Sequence, residues 1–128
     1  MELNPRLLGA IVWPMKLPRA SKARVDESKV VGYLLSRVHP DGGSKARFFE
    51  RFGFRSAEWM TLAEALKEHG QGNEVVNVVE TGHGRRYSVD GPIRSPDRRN
   101  PAIRTVWIVE PGVDVPRLIT AYPLEEPG

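Results

Sequence analysis

The stretch Gly70-Gln71-Gly72-Asn73 divides the chain into two parts with different periodicities. Before it, Trp59, Leu62, Ala63 and Leu66 recur at i, i+3, i+4 and i+7, with Glu58, Glu64, Lys67 and Glu68 around them. That spacing lays one apolar stripe along a helix and puts the charges on its other side. After it, apolar and polar residues tend to alternate, as in strands whose side chains point in turn to two faces. Helices first and strands afterwards specify an α+β domain, with the helices on one face of the sheet.

About three N-terminal helices are expected. Asp26 is placed to cap the first, which Val30, Val31, Leu34 and Leu35 carry to about Ser36. His39-Pro40-Asp41-Gly42-Gly43 breaks it, because proline disfavours helical backbone in the residue before it and glycine admits positive φ. Ser44 is placed to cap a second helix, about 45 to 52, closed by Gly53, and Ser56 a third, about 57 to 69. Glu74 to Thr81, Arg85 to Gly91, Ala102 to Glu110 and Pro116 to Tyr122 then read as a four-stranded antiparallel meander. Residues 25–123 form this single domain. Residues 1–24 are expected as a basic extended arm, with 1–14 an upstream extension before Met15, and 124–128 as a tail.

Alternation in the last two strands separates Thr105 and Trp107 from Arg104, and Thr120 and Tyr122 from Ile119. The polar set Thr105, Trp107, Thr120 and Tyr122 is assigned provisionally to the open face of the sheet. Trp107 could then stack a base, a contact worth roughly 1 to 3 kcal/mol in single-strand binders. A core tryptophan is the structural alternative.

Composition narrows the chemistry. The chain has no cysteine, which excludes disulfides and thiolate metal sites. Histidines and carboxylates do not recur at metal-ligand spacing, and there is no glycine-rich phosphate loop, so neither metal nor cofactor is expected. The longest apolar run, Leu7 to Trp13, is shorter than the ~20 residues a membrane helix needs. Neither anchor nor secretory leader is expected, and a cytoplasmic location fits. The net charge of +3 is uneven: basic segments before residue 55 and over 85–104 flank an acidic helix. A polyanion such as RNA fits that pattern, as does an ordinary solvated surface.

The densest chemistry lies around Ser44-Lys45-Ala46-Arg47-Phe48-Phe49, between His39 and Phe54. Lys45 stands in a first helical turn, where a cation opposes the helix dipole. Its position there suggests a task other than stability. Lys45 and Arg47 are candidate phosphate contacts. His39 is the imidazole best placed for proton transfer, although a histidine in such a turn also serves as a surface or capping residue. His69 at a helix end and His83 between glycines are explained by the dipole and by turn exposure.

His39, Ser44 to Phe49, Gly53-Phe54 and Trp59, followed by Tyr87-x-Val89-x-Gly91, Arg104-Thr105-Val106-Trp107 and Pro116 to Pro123, resemble a bacterial domain family of unknown function. Its members include C-terminal, toxin-like domains. More coarsely, helices followed by four antiparallel strands resemble the barnase/EndoU/colicin/RelE superfamily of metal-independent RNases. That resemblance implies catalytic roles for His39, Lys45, Arg104, Thr120 and Tyr122 and a nucleic-acid contact for Thr105, beside which Arg47 and Trp107 are candidate contacts by residue type. It also implies an acidic neutralising partner of the antitoxin or immunity kind. The chain departs from the better-known toxins in lacking a paired histidine within its strands. Two readings therefore stand: an endoribonuclease-like toxin domain, or a non-enzymatic module binding protein or nucleic acid.

Overall fold

A computed structural model describes residues 13–40 and 42–124. β1 (Met15–Lys16), β2 (Glu74–Thr81), β3 (Gly84–Pro92), β4 (Ala102–Val109) and β5 (Arg117–Pro123) form one sheet in that spatial order, each neighbouring pair antiparallel. From β2 onward this is the expected meander. The sheet has five strands rather than four, because Met15 and Lys16 pair with Val75 and Glu74. Two residues are too few to show an alternation. Since β1 precedes the helices, the helices are not all N-terminal to the sheet. Residues 1–12 of the expected arm, Asp41, and residues 125–128 of the expected tail lie outside the described residues.

Three α-helices, with short 3-10 turns at Ala20–Lys22 and Ser56–Glu58, lie between β1 and β2. α1 (Glu27–Lys29) runs into a π-helical turn, Val30–Leu34; α2 spans Gly43–Arg51 and α3 Trp59–Gly72. The anticipated caps act differently. Asp26 makes no capping bond and accepts from Arg24 Nη2 at 3.2 Å. Ser44 lies inside α2, and Ser56 Oγ donates to the Leu35 carbonyl at 3.3 Å. Gly53 closes α2 with φ of 103°.

The helices meet one face of the sheet. Leu34, Phe49, Phe54, Leu62 and Leu66 share a core with Tyr87, Val89, Ile103, Trp107, Leu118 and Ala121. Burying a large apolar side chain is worth roughly 1.5 to 3 kcal/mol. Thr105 and Trp107 are fully buried, at 0% exposure, so they lie in the core and not on the open face. The face is set by apolar content: alternation groups Thr105 with Ile103 and Trp107, and the three must be covered together.

A buried polar chain makes Thr105 acceptable there. His69 Nε2 lies 3.0 Å from the Gly91 carbonyl and 3.2 Å from the Ile103 carbonyl, which only accept, so this nitrogen carries the proton. Nδ1 then accepts from the Thr105 hydroxyl at 3.0 Å, and that oxygen accepts from Trp107 Nε1–H at 2.8 Å. Burial pushes the His69 pKa down, against smaller upward effects of the two carbonyls and Asp90. His69 is thus a neutral core residue and not a cation answering the helix dipole. Beside it, a Cβ on Gly70 would stand 2.7 Å from the Trp107 ring, so glycine sets how closely α3 approaches the sheet.

Two outcomes follow. Gly70→Ala lowers stability by roughly 1 to 3 kcal/mol through overpacking, whereas Gly72→Ala, whose Cβ meets nothing within 4 Å, does not. Urea midpoints at constant slope measure both. Because His69 takes up a proton less readily folded than unfolded, its stabilising contribution is complete above the unfolded pKa of about 6.5. It is lost as pH falls from there toward the lowered native value, at no more than about 1.4 kcal/mol per pH unit. Denaturation between pH 7.5 and 5.0 should show this loss, and His69→Gln should remove that component.

Candidate functional site

Covering one face of the sheet leaves the other for chemistry. Direct partners in antiparallel strands share a face. Pairing therefore places Arg104 beside Tyr122 and Asp90, Val106 beside Thr120 and Ser88, and Ile108 beside Arg86, all on the side away from Trp107. A register shift after Val106 accommodates Ile119 in β5 and returns Leu118 to the core.

The N-terminal half reaches this face around the β5 edge. Arg24 N–H donates to the Pro116 carbonyl and Leu118 N–H to the Arg24 carbonyl, both at 2.9 Å, which brings the start of α1 alongside β5. Val30 and Leu34 turn inward at 0% exposure. Lys29 and Tyr33, each one position earlier, share the neighbouring side of the helix, as residues four apart do. The Tyr33 hydroxyl lies 3.1 Å from Thr120 Oγ1 and ties the helix to the open face.

Tyr33 is the meeting point of the cluster. Lys29 Nζ and Lys45 Nζ stand 5.2 and 5.4 Å from its ring centroid, and the His39 ring meets it edge-on at 4.9 Å. The aromatic quadrupole attracts both ammonium groups. His39 Nδ1 accepts from Gly42 N–H at 3.1 Å, so a neutral His39 ring carries its proton on Nε2. A Cβ on Gly42 would overlap the Tyr33 carbonyl oxygen, which makes glycine necessary to close this turn beside Tyr33.

Arg104 and Tyr122 lie one same-face step from Thr120, about 7 Å along the strands. Arg104 donates from Nε and Nη2 to the two Asp90 carboxylate oxygens at 2.7 and 2.9 Å. Its hydrogen bond to Asp90, then that to Tyr122, hold the guanidinium protonated more firmly than usual. A fixed cation results, with Asp90 balancing much of its field.

Of the residues singled out in the sequence, His39, Lys45 and Thr120 gather around Tyr33, and Arg104 and Tyr122 continue the same face. Arg47 does not join them: it is exposed and about 200° around α2 from Lys45. Thr105 and Trp107 are beneath the sheet surface, as described. Tyr33, Lys29 and Asp90 escaped notice in the sequence. The i, i+4 spacing of Lys29 and Tyr33 was a usable signal, but placing Asp90 opposite Arg104 requires the strand register. No group of histidines or carboxylates suited to a metal occurs among the described residues, and none of their helices is long and apolar enough to cross a membrane.

Residues 16–125 match the model of a family described as a domain of unknown function (DUF6883). Comparison with curated proteins gives no match. Among solved structures, the chain is similar to one described as a contact-dependent growth inhibition toxin–immunity protein complex from Klebsiella pneumoniae 342. The TM-score is 0.65 at 16% identity, covering 84% of this chain and 97% of that chain. At this identity the likeness is one of fold.

Removing either partner of the Tyr33–Thr120 hydrogen bond tests the tie that assembles the cluster. Tyr33→Phe and Thr120→Val should each lower stability, and their double-mutant cycle should give a coupling of about 0.5 to 1.5 kcal/mol. Additive effects in urea denaturation would show that the two side chains do not interact.

Proposed function

We propose, for a chain that belongs to the DUF6883 family, that the open face of the sheet serves a metal-independent RNase-like toxin domain. The observation carrying this reading is the gathering of Lys45 and His39 on Tyr33, whose hydroxyl meets Thr120 on the face that also bears Arg104 and Tyr122. The fold likeness to a structure described as a toxin–immunity complex supports a toxin-related setting. So does the pattern shared with the barnase/EndoU/colicin/RelE superfamily.

Cleavage of RNA by its own 2′-hydroxyl concentrates negative charge on a phosphorane and on the leaving 5′-oxygen. In this reading the 2′-hydroxyl attacks phosphorus as its proton passes to solvent water; the Lys45 ammonium, with Lys29 beside it, offsets the phosphorane charge, protonates the 5′-oxygen as the P–O5′ bond breaks, and is reprotonated from solvent. Arg104, fixed by Asp90, orients a phosphoryl oxygen. His39 is held in orientation by the bond that its Nδ1 accepts from Gly42 N–H. Thr120 and Tyr122 hydrogen-bond the ribose and phosphate. Positioning and preorganised charge then supply the rate enhancement. The domain would act in the cytoplasm, and an acidic immunity or antitoxin protein would neutralise it by covering this face.

A second reading, a non-enzymatic module that binds nucleic acid or protein, draws on the Asp90 carboxylate, which occupies the Arg104 fork. The two readings separate by turnover. The purified domain should degrade RNA in EDTA, and Lys45→Ala and Arg104→Ala should each lower the rate by about 100-fold or more while urea midpoints confirm folding. Intact RNA at high protein excess rejects the RNase. Salt-dependent binding without turnover, weakened by the same substitutions, supports the module.

A further inference from the structure

The face away from Trp107 continues beyond Arg104 into a hollow that shares Lys29 with the proposed site. It measures about 390 Å³ and is lined by Lys29, Thr81, His83, Arg86, Ile108, Arg117 and Ile119. Its lining holds two arginines, a lysine and a histidine, without a carboxylate. Arg117 is bonded through Nε and Nη2 to Glu110 at 3.3 and 3.2 Å, a contact that holds its guanidinium in place. Ile108 and Ile119 supply an apolar lining, and the volume suits a nucleotide better than a duplex.

Register locates this hollow relative to the first cluster. Arg86 pairs with Ile108, whereas Asp90 and Tyr122 pair with Arg104 on the same face. Four residues along β4 separate the two rungs by about 13 Å. Lys29 joins both places, since its ammonium stands over Tyr33 and its side chain lines the hollow. A mononucleotide at Lys45 and Arg104 would leave the second group of cations unengaged, whereas a connected strand can reach both.

We infer that Arg86 and Arg117, with Lys29 and His83, form a second phosphate subsite, and that the ligand of this face is single-stranded RNA engaged through more than one phosphate. This rests on the RNase reading and names its substrate class. The apolar lining receives ribose or base surface between phosphates, and the cations receive the charge. No base-specific contact is required.

Non-cleavable 2′-O-methyl oligonucleotides of two and twelve residues, followed by fluorescence anisotropy across a salt series, test the subsite. Arg86→Gln/Arg117→Gln should reduce the ratio of 12-mer to dinucleotide affinity at least tenfold. It should also flatten log K against log [salt] for the 12-mer by about 1.4, or about 0.7 per lost contact with single-stranded nucleic acid. Arg86→Gln alone, which leaves the Arg117–Glu110 pair intact, should flatten it by about 0.7 and separates contact loss from misfolding. A wild-type slope in folded Arg86→Gln, or equal weakening for both lengths, overturns the subsite. So does flattening seen only with polyglutamate, which would assign the cations to an acidic protein. If wild-type protein cleaves RNA in EDTA while the variants keep its slope, the subsite fails and the RNase reading stands. If wild-type protein neither cleaves RNA nor binds the 12-mer, both fail.

Discussion

The hydrogen-bonded chain from Trp107 through Thr105 to His69, ending on the Gly91 and Ile103 carbonyls, is the contact on which the rest of the arrangement turns. It ties the last turn of α3 to β3 and β4 inside the core, where a missing partner would cost roughly 1 to 3 kcal/mol. Among the described residues no buried side-chain nitrogen or oxygen lacks a partner. Gly70 permits the close approach of α3 to the face that apolar content selects. The other face is left to Arg104, Thr120, Tyr122 and their neighbours.

A second constraint acts at the β5 edge. Residue 24 pairs along that edge, so α1 begins beside β5, and its inward Val30 and Leu34 force Lys29 and Tyr33 toward the open side. Tyr33 then does two jobs. Its hydroxyl meets Thr120, and its ring gathers Lys29, Lys45 and His39 from three segments of chain. The glycine of the turn after His39 permits the same approach, which joins a local backbone requirement to the geometry of the cluster. Cations are thereby assembled by an aromatic ring as well as by carboxylates, and Arg104 is fixed by the bidentate Asp90 pair.

The helical stripe of α3 and the four longer strands were legible because each is written in local spacing, although α3 runs on through Gly72, past the end expected at Gly70. β1 was not, since two residues show no period, and neither were the caps, whose side chains found partners such as Arg24 and the Leu35 carbonyl. Thr105 and Trp107 were expected on the open face because hydroxyl and indole look polar. Once a neutral histidine satisfies the hydroxyl, and the hydroxyl the indole, both belong in the core. Lys45, His39, Arg104, Thr120 and Tyr122 drew attention by residue type, while Tyr33 and Asp90 matter through whom they face.

By itself, the order of periodicities determined an α+β chain with helices ahead of most of its sheet, because hydrophobic spacing acts on each segment before any segments meet. Composition likewise excluded thiol chemistry and concentrated positive charge in two stretches. Which face is covered, which strand edge α1 caps and which cations share Tyr33 were decided only by tertiary structure. Those outcomes depend on strand register and on partners distant in sequence, where a hydrogen bond between residues 33 and 120 has no local signature.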